Sequence, residues 1–450
     1  MSNVYLDSLS PLEAQVGYGE PGVRGRLGYE DKTVSVQGKS YEHALSTHPP
    51  ARLIFHLGGR FSSFGCRVAL NDNASSARTH ANFIVRADGR QVAVEAYVRP
   101  GELPRLLAAD LSGAQTLELL VRTSRWENCH AVWLEPIVSE DAGHPYRSSM
   151  LDCLNRVEIK IPVTLPRAER CIATVVSPGF DHLLDDMLGS LVALGGCRDA
   201  LIVVFTVDAD DACRRVVEKY GATAIECTRR AKVNPTVKAV LYTAPRVIDS
   251  DQFLCLDADM LVLGDLRPIF AAIDACPEGS ILVCREGNIR DASTLEHAIT
   301  SIYRGRSSDF KRILGSLSGE VSYPLVVNDG LFAGGRTALL ELDGLVRSWP
   351  QAVGWVDERR DVWWRNQFVF NLALARLNCG IELDPIYNLH LQAQDVEMRQ
   401  TNGCVEAIWH GRQARVLHFC GWGRNKYPEW RGIFARASEG PPARELYVEV

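Results

Sequence analysis

Two aspartates, Asp257 and Asp259, are the residues of this chain best placed to do chemistry. They lie between two apolar runs, residues 252–256 and 260–263, so both carboxylates come where a strand is predicted to end. Burying an ionised carboxylate costs free energy unless it is paired or binds a metal. A cation is the natural partner for such a pair, and oxygen ligands suit Mn²⁺ or Mg²⁺. The pattern therefore predicts that both aspartates ligate a divalent cation.

The same Asp-x-Asp spacing occurs twice more, so spacing alone is weak evidence. Asp208-Ala209-Asp210 opens an acidic amphipathic run, residues 211–219, where carboxylates favour a helix N-terminus and need no metal. Asp249-Ser250-Asp251 lies in a polar turn before a predicted strand. Only the first pair has apolar runs on both sides, which is why we predict a ligand role there.

A histidine late in the chain is the second candidate. Residues 414–420 are predicted to form a strand with His418 near its end, and a Gly-rich turn follows with Arg424 and Lys426. A histidine on a strand is often a buried structural residue. However, such a turn can bring backbone N–H groups and cations close to phosphates. An imidazole with two carboxylates would suit Mn²⁺ or Mg²⁺. The residues alone leave both interpretations open.

One glycine pattern is a decoy. Residues 17–22 spell G-x-G-x-x-G, but no strand is predicted before them, and Pro21 with the Gly-rich stretch that follows it cannot open the helix that a dinucleotide site requires. We reject this segment as a dinucleotide site.

The elements that must position these residues change character along the chain. Residues 1–138 carry short alternating runs separated by turn residues, which predicts an all-β sandwich. Residues 139–169 are polar and proline-containing, which predicts a linker. Residues 170–435 alternate strands with amphipathic helices, which predicts a doubly wound α/β domain with its ligands at the carboxyl ends of strands. Residues 436–450 form a C-terminal tail.

Composition narrows the function classes. The chain has 450 residues, is 46% hydrophobic and carries a net charge of −6, without a basic stripe that would favour nucleic acid. The thirteen cysteines include no C-x-x-C pair and are predicted to be reduced core residues. We find no leader-like N-terminus and no apolar run of about 20 residues, so we expect a cytoplasmic protein without a transmembrane segment.

With both candidate sites in view, residues 171–430 resemble the family 8 glycosyltransferases and their GT-A relatives. The matching segments occur in the family's order: Lys238, Leu256–Asp259, Val327–Phe332, Trp364–Asn371, Pro385–Asn388 and His418–Gly421. The resemblance implies a GT-A-type catalytic domain that transfers a sugar with retention from a nucleotide-diphosphate donor, with UDP-sugar the expected donor.

The resemblance also implies site residues. Asp257, Asp259 and His418 would hold the divalent metal. Six positions would bind the donor: Lys238, Asp257, Asn328, Gly421, Arg424 and Lys426. Gln367 matches a polar position facing the reacting carbon, and it is grouped with Asn366 and Asp329 as catalytic candidates.

Two departures from the family pattern bear on the chemistry. The family usually carries Asp-Gln or Asp-Glu where this chain has Asn366-Gln367, which removes a charge on the acceptor side. After His418, Arg424 aligns with the family's lysine, while Lys426 begins a similar motif displaced by two residues. Either cation could neutralise the diphosphate leaving group.

Residues 1–138 resemble the NPCBM domain, a carbohydrate-binding sandwich of the galactose-binding class. The resemblance is carried by Tyr5–Asp7, Gly17–Gly19, Leu45–Pro49, Phe55–Gly59, Phe64, Asn71-Asp72 and Cys129–Trp133. Among these, His48 and Trp133 are predicted to be buried structural residues rather than sugar contacts.

The sequence thus predicts a metal-dependent glycosyltransferase whose acceptor is an unknown glycan, protein or small molecule. One alternative is a sugar nucleotidyltransferase, which would need a Gly-rich, cation-bearing loop after the first strand of the domain. Residues 176–180 contain no cation there. The other alternative is a non-catalytic glycan-binding protein with a decayed transferase domain, which the intact metal-ligand set disfavours.

Overall fold

A computed structural model describes residues 3–74, 79–140, 149–154, 156–161, 165–230, 237–286, 326–349, 365–390, 396–401 and 404–419. The chain forms two compact units. Unit 1 consists of Met1–Ser148 with the short segments Pro245–Asp249 and Thr337–Leu345, and unit 2 consists of Ser149–Ala244, Ser250–Arg336 and Val346–Val450. The two short segments of unit 1 fall inside residues 170–435, which the sequence assigns to the α/β domain.

Unit 1 contains a β-sandwich, as predicted. Its strands are β1 (Asn3–Tyr5), β2 (Glu13–Gln15), β3 (Ser35–Val36), β4 (Lys39–Ser40), β5 (Ala44–Thr47), β6 (Ala51–His56), β7 (Ser63–Leu70), β8 (Ala81–Ala87), β9 (Arg90–Val98), β10 (Arg105–Asp110), β11 (Thr116–Arg122) and β12 (Ala131–Ser139). One sheet has the order β1-β12-β7-β10 with β5 also paired to β12, and the other has the order β2-β6-β11-β8-β9.

The two sheets of the sandwich share an apolar core. Alternation along β6 buries Leu53 and Phe55, and Phe83 from β8 packs edge-on against Trp133 with ring centroids 5.0 Å apart. Trp133 is fully buried, which confirms its predicted structural role. The decoy at residues 17–22 follows the short strand β2, which the sequence did not predict, but residues 23–74 contain no helix.

Unit 2 is built on a mixed nine-stranded sheet. Its members are β13 (Ser149–Leu151), β14 (Val157–Lys160), β15 (Ala168–Val176), β16 (Leu201–Val207), β17 (Thr223–Arg229), β18 (Ser250–Leu256), β20 (Ile281–Arg285), β21 (Val327–Gly335) and β22 (Gly380–Glu382). The order is β13-β14-β17-β16-β15-β18-β21-β20-β22. Strands β15 to β18 run parallel, whereas β21 is antiparallel to β18 and β20.

From β15 the chain adds β16 and then β17 on one side of the sheet, and it later adds β18 on the other side of β15. The strand order therefore reverses between β15 and β18. In open α/β sheets, ligands bind outside the carboxyl ends of the strands at such a reversal. Asp257 directly follows β18 and so lies at this point of the sheet. The helices of the chain are α1 (Asp181–Leu194), α2 (Asp211–Lys219), α3 (Ala239–Val247), α4 (Arg267–Ala275), α5 (Arg336–Arg347) and α6 (Arg365–Leu377).

Two smaller sheets complete the described part of unit 2. They contain the remaining strands β19 (Met260–Val262), β23 (Leu389–His390), β24 (Val396–Thr401), β25 (Cys404–Trp409), β26 (Arg412–Gln413) and β27 (Val416–His418). Their orders are β19-β27-β23 and β24-β25-β26.

Several local predictions can be compared with these elements. Asp210 caps α2, because its side chain accepts a hydrogen bond from the Cys213 backbone N–H at 3.0 Å. The predicted linker, residues 139–169, instead contains β13 and β14, which extend the nine-stranded sheet through antiparallel pairing with β17. Strand β13 has three residues and β14 four, so their pattern, which buries Val157 and Ile159 on β14, is short and stands within a polar, proline-containing stretch.

The eleven cysteines whose side chains the structure describes are free thiols, and only Cys276 and Cys379 among them are partly exposed. This confirms the prediction of reduced core residues for the described part of the chain. No helix in that part combines the length and the apolar character needed to cross a bilayer.

Candidate functional site

The backbone of unit 2 brings Asp257 next to β21. Strands β18 and β21 pair antiparallel up to Leu256 and Leu331, and the Asp257 N–H donates to the Gly330 carbonyl at 2.9 Å. Asn328 and Asp329 precede Gly330 on β21. The register of these two strands therefore places the predicted cation ligand Asp257 beside Asn328 and Asp329.

A second pairing brings His418 to the same place. Strands β19 and β27 pair antiparallel with Met260 opposite His418, and the Phe419 N–H donates to the Asp259 carbonyl at 3.0 Å. His418 Nε2 lies 3.3 Å from Asp259 Oδ1 and 3.6 Å from Asp257 Oδ2. One ligand atom from each of the three side chains falls within 4.8 Å of the others. The three predicted metal ligands are thus together.

The ring of His418 is held by Asn388. The Asn388 amide donates through Nδ2 to Asn328 Oδ1 at 3.2 Å, and this oxygen also accepts the Gly330 N–H at 2.8 Å. Asn388 Oδ1 is therefore the atom that faces His418 Nδ1, at 2.9 Å. An amide oxygen only accepts, so Nδ1 carries a proton, and Nε2 is the ring nitrogen that faces the two carboxylates. A histidine held through Nδ1–H in this way is oriented to offer Nε2 to a metal.

Lys238 is the basic group that the structure places in this site. Its Nζ lies 2.7 Å from Asp257 Oδ2 and 3.0 Å from Asp329 Oδ1. Burial alone would lower the pKa of this ammonium, but the two carboxylates raise it, so Lys238 is charged.

The carboxylate of Asp329 accepts hydrogen bonds from three residues. Besides Lys238, it accepts from the Tyr242 hydroxyl and from Asn366 Nδ2, and its side chain is 4% exposed. Tyr242 lies on α3 and Asn366 in the first turn of α6, so this carboxylate ties two helices to β21. The predicted catalytic residues Asn366 and Asp329 are therefore in direct contact.

The residues of the site fit a divalent cation. Burial raises the pKa of Asp257 to about 6, with Lys238 opposing and Asp259 adding to the rise. The carboxylates of Asp257 and Asp329 contact the ammonium of Lys238, and that of Asp259 faces His418, so three carboxylates lie beside one lysine in this part of the site. Two carboxylates with an imidazole lone pair suit Mn²⁺ or Mg²⁺.

Gln367 belongs to a second polar group beside the first. Its Nε2 donates to Glu286 Oε2 at 2.9 Å, and its Oε1 accepts from Asn328 Nδ2 at 3.3 Å. Glu286 Oε1 lies 3.2 Å from His390 Nδ1. Burial opposes ionisation of Glu286, but His390 and the amide donors outweigh it and hold the pKa of this carboxyl well below its usual range.

Sequence reasoning did not find Glu286, His390 or Tyr242, and it gave Asn388 no role. One signal was available: Glu286 directly follows β20, as Asp257 directly follows β18. His390 and Tyr242 lie inside elements whose apolar neighbours hide them. Of the predicted donor-binding residues, Gly421, Arg424 and Lys426 lie outside the described residues.

The site leaves no space for a side chain at Gly330. A Cβ at Gly330 would lie 2.2 Å from His418 Cε1 and 2.6 Å from Asn328 Oδ1. We expect Gly330→Ala to displace the imidazole, to weaken Mn²⁺ binding and to cost about 1–3 kcal/mol of stability, as overpacking usually does.

Calorimetry of Mn²⁺ binding, together with thermal unfolding, checks this prediction. The matched control is Gly335→Ala on the same strand, where the nearest atom to a new Cβ is the Asp251 carbonyl oxygen at 4.0 Å. If Gly330→Ala binds Mn²⁺ as the wild type does, His418 is not a ligand in this position.

A small pocket in unit 1 is a separate candidate site. It is lined by Tyr18, Glu20, Leu27, Gly28, Tyr29, Ser46, Thr47, His48 and His130. Tyr18 is 56% exposed, and Trp126, whose ring meets that of His48 edge-on, is 59% exposed. The buried Thr47 hydroxyl has no hydrogen-bond partner within the described ranges. His48 is buried, as predicted, but it also lines this pocket.

The imidazoles of this pocket are uncharged at neutral pH. Burial, followed by the neighbouring His48 and Lys32, lowers the pKa of His130 to about 4, and burial also lowers the pKa of His48. The pocket thus offers aromatic faces, neutral ring nitrogens and a hydroxyl. Such a surface suits a polar, uncharged ligand.

Comparison with known proteins adds three findings. Residues 2–139 match the NPCBM/NEW2 domain family, which covers less than half of the chain. The search of curated proteins returned no match. The match to NPCBM/NEW2 and the strand order of unit 2 together confirm the predicted architecture, an all-β sandwich in the N-terminal part and an α/β fold in the rest.

Solved structures similar to the chain fall into two groups. The family 51 carbohydrate-binding module of a Clostridium perfringens family 95 glycoside hydrolase, in complex with methyl-galactose, is 19% identical and covers 31% of this chain and 100% of its own, with a TM-score of 0.29. The galactosyltransferase LgtC, in complex with donor and acceptor sugar analogs, is 16% identical and covers 61% and 98%, with a TM-score of 0.40. The bifunctional glycosyltransferase WbbM is 11% identical and covers 64% and 52%, with a TM-score of 0.40.

Proposed function

We propose that this chain is a metal-dependent glycosyltransferase that moves a sugar from a nucleotide-diphosphate donor, a UDP-sugar, to a glycan, protein or small-molecule acceptor with retention. The observation that carries the proposal is the cluster of Asp257, Asp259 and His418 at the chain reversal of the parallel strands. Family 8 and the GT-A class are the assignments that the sequence motifs support.

In this proposal the three clustered residues hold the cation, Mn²⁺ or Mg²⁺. A bound divalent cation would offset the negative charge that develops on the leaving diphosphate. Lys238, held by Asp257 and Asp329, supplies a fixed positive charge at the donor side of the same site. Asn388 orients His418 so that Nε2 faces the cation, by accepting a hydrogen bond from the Nδ1–H group.

Gln367 and Asn328 form the part of the site that would face the sugar. Both side chains are buried, with Asn328 at the start of β21 and Gln367 in the first turn of α6. Gln367 would stabilise positive charge on the anomeric carbon through its amide oxygen. Asp329 would position Asn366 and Lys238 rather than react itself, because its two oxygens already accept from three donors.

The proposal is tested by donor hydrolysis. Purified full-length chain is incubated with UDP-, GDP- and dTDP-sugars, with Mn²⁺ or with EDTA, and release of the nucleoside diphosphate is measured. We expect metal-dependent release from one donor. Release of a nucleoside triphosphate from a sugar-nucleotide and pyrophosphate would instead indicate a nucleotidyltransferase. The absence of any turnover or donor binding would favour a non-catalytic glycan-binding protein.

A second function is favoured by the pocket of unit 1. We propose that the sandwich binds a glycan there, since exposed Tyr18 and Trp126 offer flat apolar faces and Thr47 offers a buried hydroxyl. In this account unit 1 holds a glycan while unit 2 carries the transferase chemistry.

We expect Trp126→Ala and Tyr18→Ala each to weaken glycan binding by at least about 10-fold, because exposed aromatic anchors dominate such contacts. Titration of a panel of methyl glycosides into the full chain, after a glycan array has identified the sugar, measures this. Leu106→Ala is the control, since Leu106 is an exposed apolar residue that does not line the pocket. If all three variants bind the glycan with the affinity of the wild type, the pocket of unit 1 is not the glycan-binding site.

A further inference from the structure

The polar group around Glu286 is not explained by cation binding. Glu286 is buried, and both of its oxygens have partners in the site. Oε1 lies 3.2 Å from His390 Nδ1, and Oε2 accepts from Asn328 Nδ2 at 3.0 Å and from Gln367 Nε2 at 2.9 Å. A buried carboxylate thus contacts two of the residues proposed to face the sugar.

These contacts determine which end of the Gln367 side-chain amide faces Glu286. An ionised carboxylate accepts hydrogen bonds and cannot donate them, whereas an amide has one end of each kind. Gln367 must therefore turn its NH₂ end towards Glu286. Its Oε1 is then directed away from Glu286, towards Asn328 Nδ2 at 3.3 Å. If the amide were reversed, its oxygen would face the carboxylate oxygen at a repulsive distance.

We infer that Glu286 is a positioning residue that fixes the amide orientation of Gln367, so that its oxygen rather than its nitrogen is presented to the reacting carbon. This inference rests on the proposed function, because only a glycosyl carbon in the site gives the amide oxygen a role. The oxygen carries partial negative charge and stabilises an electron-poor carbon. The nitrogen end carries partial positive charge and would repel it.

His390 completes the arrangement. It is buried beside Glu286, and its ring packs edge-on against that of His418 with centroids 5.1 Å apart. Its Nδ1 contacts Oε1 of Glu286, whereas the two amides donate to Oε2. Both oxygens of Glu286 are therefore engaged, which suits a residue that orients its neighbours better than one that attacks the sugar.

The orientation is measured directly on the side-chain amide of Gln367. Protein labelled with ¹⁵N at glutamine side chains gives this signal, which is assigned by its absence from Gln367→Met. We expect the signal to shift and to lose protection from hydrogen exchange in Glu286→Met, and to stay unchanged in the control Glu382→Gln. Glu382 is a partly exposed carboxylate of β22 that accepts from Arg285. An unchanged Gln367 signal in a folded Glu286→Met protein would overturn the inference.

A double-mutant cycle tests the same inference through catalysis. Glu286→Gln keeps the shape but can present either end, so we expect kcat to fall about 10- to 100-fold at unchanged donor KM. Glu286→Asp keeps the charge and should recover part of the rate. In a Gln367→Ala background, Glu286→Gln should lower kcat by less than about a further twofold, because substitutions of two residues that act as a unit do not have additive effects.

The outcomes separate this inference from the proposed function. An equal loss in both backgrounds, or a glycosyl adduct on Glu286, would overturn the positioning role. If the wild type turns over no donor, the proposed function fails, and with it the catalytic meaning of the orientation. The Gln367 amide signal then still decides whether Glu286 orients that amide. If Glu286→Met does not fold, the isosteric Glu286→Gln replaces it in this measurement.

Discussion

Replacing Asp259 with alanine is expected to remove measurable Mn²⁺ binding and to lower the rate of sugar transfer by about 100-fold or more. A bound cation supplies several kcal/mol of charge stabilisation, and about 3 kcal/mol corresponds to roughly 100-fold in rate. Asp259 is buried and faces His418 Nε2 at 3.3 Å, so its loss leaves Asp257 and His418 as an incomplete set. Calorimetry with Mn²⁺ and the hydrolysis assay measure the two effects.

The chain offers a matched control for this substitution. Asp251 belongs to another Asp-x-Asp triplet, but its side chain is half exposed and pairs with Arg167 at 3.2 Å on the surface. Asp251→Ala should leave both Mn²⁺ affinity and turnover unchanged. Unchanged Mn²⁺ affinity in Asp259→Ala would remove this aspartate from the proposed metal site.

The second large effect concerns stability. Asp329→Ala is expected to cost about 3–5 kcal/mol, because removing one partner of a buried ion pair leaves the other without full compensation. Lys238, Tyr242 and Asn366 would all lose the acceptor that now joins them. For a domain of this size, the thermal midpoint should fall by at least about 6 °C.

Thermal unfolding followed by circular dichroism checks this prediction, and Asp199→Ala provides the comparison. Asp199 also forms an ion pair, with Arg170 at 3.0 Å, but its side chain is 63% exposed. Its loss should therefore change the thermal midpoint only slightly. Equal shifts for the two variants would mean that the contacts of Asp329 do not stabilise the fold. Asp329→Asn keeps the shape and should fall between Asp329→Ala and the wild type.

Much of the fold was predictable because its elements are long and regular. Helix α1, for example, is an amphipathic segment that begins at Asp181 and ends at Leu194. Strand β18 ends at Leu256, so Asp257 comes where the apolar run predicts the end of a strand. Strands β13 and β14 were not predicted, because they have only three and four residues and lie in a polar, proline-containing stretch.

The candidate site was predictable only in part. Asp257, Asp259 and His418 were found from acids and an imidazole at strand ends, and the structure brings them together. Tyr242 and Glu286 could not be assigned, because their roles depend on which residues the tertiary register places opposite them. Nothing near Glu286 in sequence indicates that it meets Gln367 and His390, which come from distant segments.

The claim that most needs a direct test is that a cation and a nucleotide diphosphate bind together at this site. Isothermal titration of UDP, GDP and dTDP into the full chain, with Mn²⁺ or with EDTA, measures this for the wild type and for Asp257→Asn. Our account predicts that one nucleotide, expected to be UDP, binds with Mn²⁺, and that EDTA or Asp257→Asn abolishes its binding. Equal binding in EDTA and in the variant, or no nucleotide binding at all, would contradict it.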